Sequence, residues 1–160
     1  MESEFYNFKV NAIDGNPFDL KNLKGKKVLV VNTASKCGLT PQFEQLEELY
    51  QQKGGENFEI IGFPSNDFGK QDPGTNEEIN SFCQKNYGVS FKMMEKIVVK
   101  GNQKHPLYKW LTSKDLNGKA DNEITWNFQK FLIDENGNWV KSLSPQTLPI
   151  DNEILSWLES

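Results

Sequence analysis

The chain has 160 residues, 18 of them basic and 22 acidic, with a net charge of −4 and an apolar share of 36%. That length suits one compact domain, residues 1–160, able to bury roughly 70% of its unfolded surface. The small, interspersed negative charge provides no electrostatic footprint for nucleic acid or an anionic membrane. No apolar run approaches the roughly 20 residues of a membrane span, and the acidic start Met1-Glu2-Ser3-Glu4 does not resemble a signal peptide, so the expected compartment is a reducing cytoplasm.

Residues 5–10 alternate in character and lead through Asp14-Gly15-Asn16-Pro17 to Phe18-Asp19-Leu20, which predicts an opening β-hairpin. The almost continuous apolar run at 28–32 predicts a central strand. A helix follows over 41–53: Phe43, Leu46, Leu49 and Tyr50 recur at helical spacing, Pro41 suits the first turn, and Gly54-Gly55 supplies the stop. Residues 58–63 predict a second strand ended by Pro64, and the loop 65–74 carries the turn formers Asn66-Asp67 and Asp72-Pro73-Gly74. Thr75-Asn76-Glu77-Glu78 reads as the cap and acidic first turn of a helix with Ile79, Phe82 and Cys83 on one face. Residues 96–100 predict a short strand, 106–113 a helix, 128–134 and 139–143 a hairpin turned at Asn136-Gly137, and 150–158 a closing helix. Strands alternating with helices and followed by a terminal hairpin predict an α/β sandwich with a central mixed sheet flanked by helices.

Cys37 occupies the junction between the first central strand and its helix. A thiol there lies near unpaired backbone N–H groups at the positive end of the helix dipole, a field that favours the reactive thiolate form. Cys37-Gly38-Leu39-Thr40 lacks the second cysteine of a dithiol motif, and position 34 is Ala where a peroxiredoxin carries Thr. Two cysteines and one histidine make no zinc pattern, so neither a metal nor a cofactor is expected. The two thiols are either free and redox-active or simply inert.

Three stretches narrow this choice. Asn32-Thr33-Ala34-Ser35-Lys36-Cys37-Gly38-Leu39-Thr40 resembles the active-site segment of glutathione peroxidases; Gly62-Phe63-Pro64-Ser65-Asn66-Asp67-Phe68-Gly69-Lys70-Gln71-Asp72-Pro73-Gly74 resembles that family's second signature. Trp126-Asn127-Phe128-Gln129-Lys130-Phe131-Leu132-Ile133 resembles its third, with a weaker match at His105-Pro106-Leu107. The resemblance spans essentially the whole chain and implies a thioredoxin-like fold with an N-terminal β-hairpin. It also implies a hydroperoxide reductase of the cysteine, not selenocysteine, type, with Cys37, Gln71, Trp126 and Asn127 as catalytic residues. Physically, neutral donors aimed at a thiolate and at a departing oxygen stabilise the charge that builds as a peroxide O–O bond breaks. Ser65 and Asp67 stand where the family often has Cys and Gln; the Asp67 carboxylate faces either the site or solvent.

The resemblance further implies that Cys83 is a resolving cysteine, forming a disulfide with the Cys37 sulfenic acid after local unwinding of its helix. The alternative for Cys83 is an inert thiol on the apolar face. An intramolecular disulfide suits thioredoxin as the reductant, with glutathione second. The segment 111–125 lacks the long insertion of tetrameric family members, which implies a monomer or small dimer with an open site that accepts organic and lipid hydroperoxides beside hydrogen peroxide. The alternative from another class is a peroxide sensor of the same fold that passes its disulfide to a partner protein. His105 reads as a structural residue at a helix start rather than as a base.

Overall fold

In the computed structural model, which describes residues 2–160, the chain opens with a 3-10 turn at Glu4–Asn7 where the alternating pattern predicts a strand. Phe5 and Tyr6 are adjacent and both buried, which a strand with one buried face cannot arrange, and the Ser3 hydroxyl accepts the Phe5 N–H at 3.1 Å to start the turn. The hairpin itself is shorter than expected: β1 (Lys9–Asn11) pairs antiparallel with β2 (Pro17–Asp19), Val10 opposite Phe18.

A second 3-10 turn at Leu20–Leu23 leads into β3 (Lys27–Thr33), then α1 (Gln42–Lys53), β4 (Phe58–Pro64), α2 (Asn76–Tyr87) and β5 (Lys92–Met93). The chain continues through α3 (Pro106–Thr112), a short α4 (Lys114–Asn117) that the sequence pattern does not announce, β6 (Lys130–Ile133), β7 (Trp139–Leu143) and α5 (Asn152–Leu158). The main sheet runs β5-β4-β3-β6-β7, with β4 parallel to both β3 and β5 while β6 is antiparallel to both β3 and β7. This is the expected mixed sheet.

Residues 96–100 do not form the expected strand. Two of their backbone donors are taken by side chains, Asn76 Oδ1 accepting from Lys96 N–H at 2.9 Å and Asp67 Oδ2 from Val99 N–H at 2.6 Å, which leaves only the Ile97 N–H for the Pro64 carbonyl of β4. The β6 strand also starts later than the pattern suggests, because Phe128 holds a φ of 69° that no strand residue adopts.

Period-two alternation divides the core cleanly. Val28 and Val30, Ile61 and Phe63, Phe131 and Ile133 project to one side, against the hairpin residue Val10 and the α3 residues Leu107, Tyr108 and Trp110. Leu29 and Val31, Phe58 and Ile60, and Leu132 project to the other, against Phe43, Leu46 and Leu49 of α1, Ile79 and Cys83 of α2, and Ile154 of α5. Both faces are covered, so β3 and β4 are buried along their whole length.

Lys130 interrupts the apolar pattern. Fully buried on the α1 side, its ammonium donates to Gln42 Oε1 at 2.6 Å and to the Pro145 carbonyl at 3.1 Å, with no carboxylate facing it among the described residues. Burial pulls its pKa from the ordinary 10.5 to about 7. Between those values the unfolded chain binds more protons than the folded one, so stability rises with pH across this window and is lost as pH falls through about 7. Cys83, pushed by burial from 9.0 up to about 12, acts in the opposite sense above pH 9, where only the unfolded thiol ionises. Urea midpoints should therefore rise from pH 7 to pH 9 by the equivalent of about 2 kcal/mol, and Lys130→Met should flatten that slope. A wild-type midpoint that does not move over this range contradicts the reading.

Candidate active site

Strand direction brings three distant segments to one edge of the sheet. β3 and β4 run parallel, so the loops after them, 34–41 and 65–75, leave from the same side. β6 runs the other way, with Lys130 opposite Val31, so the residues that precede it (Trp126, Asn127 and Phe128) arrive at that side too. The edge beyond the carboxyl ends of parallel strands is where open α/β sheets place their ligands.

Cys37 lies in the loop between β3 and α1, its side chain 8% exposed. Thr40 fixes the loop from within: its hydroxyl donates to the Ala34 carbonyl at 2.8 Å and accepts the Cys37 N–H at 2.9 Å. The backbone N–H of Leu39 then points back at Cys37 Sγ, 3.3 Å away. The Trp126 indole Nε1–H donates to the same sulfur, also at 3.3 Å. Two fixed donors thus converge on one sulfur, a preorganised arrangement that stabilises negative charge there without introducing a competing full charge.

The indole is held by neighbours in all three segments. Asn32, a polar residue buried within the apolar β3 run, donates to the Trp126 carbonyl at 3.1 Å, and its own carbonyl accepts the Phe128 N–H at 2.6 Å. Phe68 packs against the indole with ring centroids 5.8 Å apart. Gly69 lies closest: a Cβ there would sit 3.1 Å from the indole edge, and its φ of +64° suits glycine. The sequence offered signals for Asn32 and Thr40, namely a polar side chain in a buried strand and a threonine three residues after the thiol.

Gln71 and Asn127 adopt an arrangement different from three donors around the sulfur. Asn127 is fully buried and its Nδ2 donates to Gln71 Oε1 at 3.1 Å, so the two amides pair with each other. Of the three expected side-chain donors, only Trp126 reaches Cys37 Sγ. The pairing holds the partly exposed Gln71 through its oxygen, leaving its own amide N–H groups without a partner among the described residues.

Cys83 is fully buried on α2, a free thiol packed in the same core cluster as Cys37. Burial, reinforced by the negative charge of Asp72, pushes its pKa up to about 12, so it is protonated at neutral pH. Asp67 faces neither of its two expected destinations: its Oδ2 accepts from the Ser65 hydroxyl at 2.8 Å as well as from the Val99 N–H. That pairing also explains Ser65, which supplies the hydroxyl. His105 is structural as expected, capping α3 through Nδ1, which accepts the Leu107 N–H, while Nε2 contacts the Lys9 carbonyl at 3.1 Å.

Comparison with known proteins places the chain in a family. The family model described as glutathione peroxidase matches residues 5–112. The chain is 50% identical to a glutathione peroxidase of Lactococcus lactis subsp. cremoris, over 93% of this chain and 94% of that one. It is 49% identical to a glutathione peroxidase-like peroxiredoxin of Schizosaccharomyces pombe, over 98% and 99%. The crystal structure of Trgpx in its apo form superposes with a TM-score of 0.74 at 36% identity, covering 100% of this chain and 98% of that one. A thioredoxin family protein from Chlorobium tepidum shares the fold at 21% identity, with a TM-score of 0.61 and coverage of 96% and 93%. With matches of that extent around a thiol set between an indole and a backbone amide, the chain belongs to the glutathione peroxidase family, as a thiol peroxidase of the cysteine type on a thioredoxin-like fold.

Proposed function

We propose that the Cys37 thiolate attacks a hydroperoxide oxygen, releasing water or an alcohol and leaving a Cys37 sulfenic acid, and that Cys83 then condenses with it to a disulfide reduced by thioredoxin. The observation that carries this reading is the shared sulfur: Trp126 Nε1–H and Leu39 N–H both donate to Cys37 Sγ at 3.3 Å. Those two bonds hold charge on the nucleophile, while the Gln71 amide, oriented by Asn127, is free to donate to the departing oxygen. All of this lies in one peroxidase domain, residues 1–160.

Thioredoxin is favoured over glutathione because the second thiol lies on α2, whose first turn flanks the Cys37 loop across a cleft lined by Ser35, Lys36, Gly74, Glu78, Ile79 and Phe82. An internal disulfide is a dithiol exchange substrate, whereas glutathione reduction requires mixed disulfides at a single cysteine. A thioredoxin partner places the protein in a reducing compartment, the cytoplasm. The connection from α4 to β6 is short, which suits access by bulky organic and lipid hydroperoxides and a monomer or small dimer.

Trp126→Phe keeps the ring packing against Phe68 but removes the indole donor. Its second-order rate with peroxide, followed by stopped-flow in a single turnover, should fall roughly 10- to 100-fold while the midpoint of urea unfolding changes little. An unchanged rate refutes the role given to the indole.

Cys83→Ser should retain a normal first turnover yet lose thioredoxin-driven cycling, with the sulfenic acid accumulating and trappable by dimedone. Steady-state consumption of peroxide with thioredoxin and its reductase equal to that of the wild type contradicts the resolving role.

A further inference from the structure

Asp72 is a buried carboxylate beside the Cys37 loop, and its charge acts on Cys83 of α2. It is 0% exposed, and its groups tie the Cys37 loop to the segment that enters α2. Oδ1 accepts the Ser35 hydroxyl at 2.7 Å and the Ser35 N–H at 3.2 Å, two residues before Cys37. Its own N–H donates to Asn66 Oδ1 at 3.0 Å, and its carbonyl accepts from Lys96 Nζ at 3.0 Å. Oδ2, by contrast, is buried with no hydrogen-bond partner. A buried carboxylate oxygen without a donor is costly and needs an explanation. The loop attachment is already satisfied by Oδ1, so that role does not account for it.

The charged and titratable groups around Asp72 are few. Lys96, whose ammonium is taken by the carbonyls of Asp72 and Gly74, and the exposed Lys36 both act on it through space, and its own charge acts on Cys83 of α2 in the same way. Glu78 points elsewhere, its carboxylate accepting the Thr75 N–H at 3.0 Å. The only histidine of the chain caps α3 and is not available as a base. Burial holds the Asp72 carboxyl above the usual carboxylate range, the direction that makes a carboxylate a better proton acceptor near neutrality.

Resting on the resolving role given to Cys83 above, we propose that Asp72 Oδ2 is the proton acceptor for the Cys83 thiol when the disulfide forms. Because Asp72 is anchored to Ser35, the base stays with the Cys37 loop when α2 opens. In the step, Asp72 takes the thiol proton and the electron pair of the Cys83 sulfur forms the S–S bond to Cys37. The S–O bond of the sulfenic acid breaks with its pair on oxygen, and the departing hydroxide takes the proton from Asp72 and leaves as water. Cys83 is oxidised, the Cys37 sulfenic sulfur is reduced, and Asp72 returns to its ionised form. No outside oxidant is needed beyond the peroxide that made the sulfenic acid.

Single-turnover kinetics separate the two steps: sulfenic acid formation is read by stopped-flow and disulfide formation by acid quench, alkylation and mass spectrometry. Asp72→Asn preserves the shape and an oxygen to accept from Ser35 but removes the base. The disulfide step should slow by about 10²-fold or more, with a much smaller change in the sulfenylation step, and its rate should climb about tenfold per pH unit as solvent takes over the deprotonation. Asp72→Glu, which restores a carboxylate, should recover most of the rate and flatten the profile. Equal disulfide rates in wild type and Asp72→Asn overturn the inference. Without any variant, a wild-type disulfide rate that climbs about tenfold per unit up to pH 9 with no plateau overturns it too, since a carboxylate base gives a plateau once it is ionised. Absence of a Cys37–Cys83 disulfide in the peroxide-treated wild type overturns the resolving role of Cys83 together with this inference, an outcome distinct from a disulfide that forms without help from Asp72.

Discussion

The antiparallel pairing of β6 with β3, Val31 opposite Lys130, decides where everything reactive in this protein lies. Had β6 run parallel to its neighbour, Trp126 and Asn127 would sit at the opposite edge of the sheet from Cys37. Reversal of one strand puts the approach to β6 beside the exit from β3, and the Asn32 side chain and backbone then fasten the two together through the Trp126 carbonyl and the Phe128 N–H. A one-residue slip of that register would turn Lys130 and Leu132 toward the α3 side and carry the indole away from the sulfur. The site is thus a by-product of sheet geometry, tightened by side-chain hydrogen bonds between its loops.

Much of this was legible in the amino-acid order because the signals are local. β3, α1, β4 and α2 announce themselves through burial patterns and caps, down to the capping box that joins Thr75 and Glu78. The elements that were misread are those settled by distant partners. Residues 4–7 form a 3-10 turn because Ser3 and Tyr6 pack against Gly137, where any Cβ would sit 2.7 Å from both. Residues 96–100 lose their ladder to the side chains of Asn76 and Asp67. In the site, residue identities were readable but their division of labour was not. Nothing in the order of residues says that Asn127 pairs with Gln71 rather than with sulfur, or that Asp67 is occupied by Ser65 and Val99.

The helix that carries Cys83 is anchored at both ends and weak between them. The Thr75–Glu78 box closes its start; at its end Gly88 adopts a left-handed conformation, its N–H bonding the Gln84 carbonyl at 3.1 Å while the Val89 N–H reaches that of Cys83 at 3.4 Å. Between the caps, Asn80, Ser81 and Asn86 have low helix propensity, and Asn86 spends its side chain on the Phe82 carbonyl. Each cap contributes on the order of 1 kcal/mol and α2 buries only Ile79 and Cys83, so it opens at lower cost than the fully buried strands beneath it. An opening of α2 would move Cys83 alone of the two thiols, since the Cys37 loop is fixed separately by Thr40 and Asp72.

The central position of β3 carries a consequence for how the protein is made. One of its two neighbours, β4, follows closely in the chain, but the other, β6, is about a hundred residues further on. During translation this fully buried strand therefore waits with one backbone edge open until β6 has left the ribosome. At roughly 5–20 residues per second that interval lasts several seconds, long enough for a nascent chain to pair with the wrong partner or to recruit a chaperone. Completion of the peroxide-reducing centre and closure of that edge are the same event, so a chain that has not yet been sealed against aggregation has no assembled site with which to meet an oxidant.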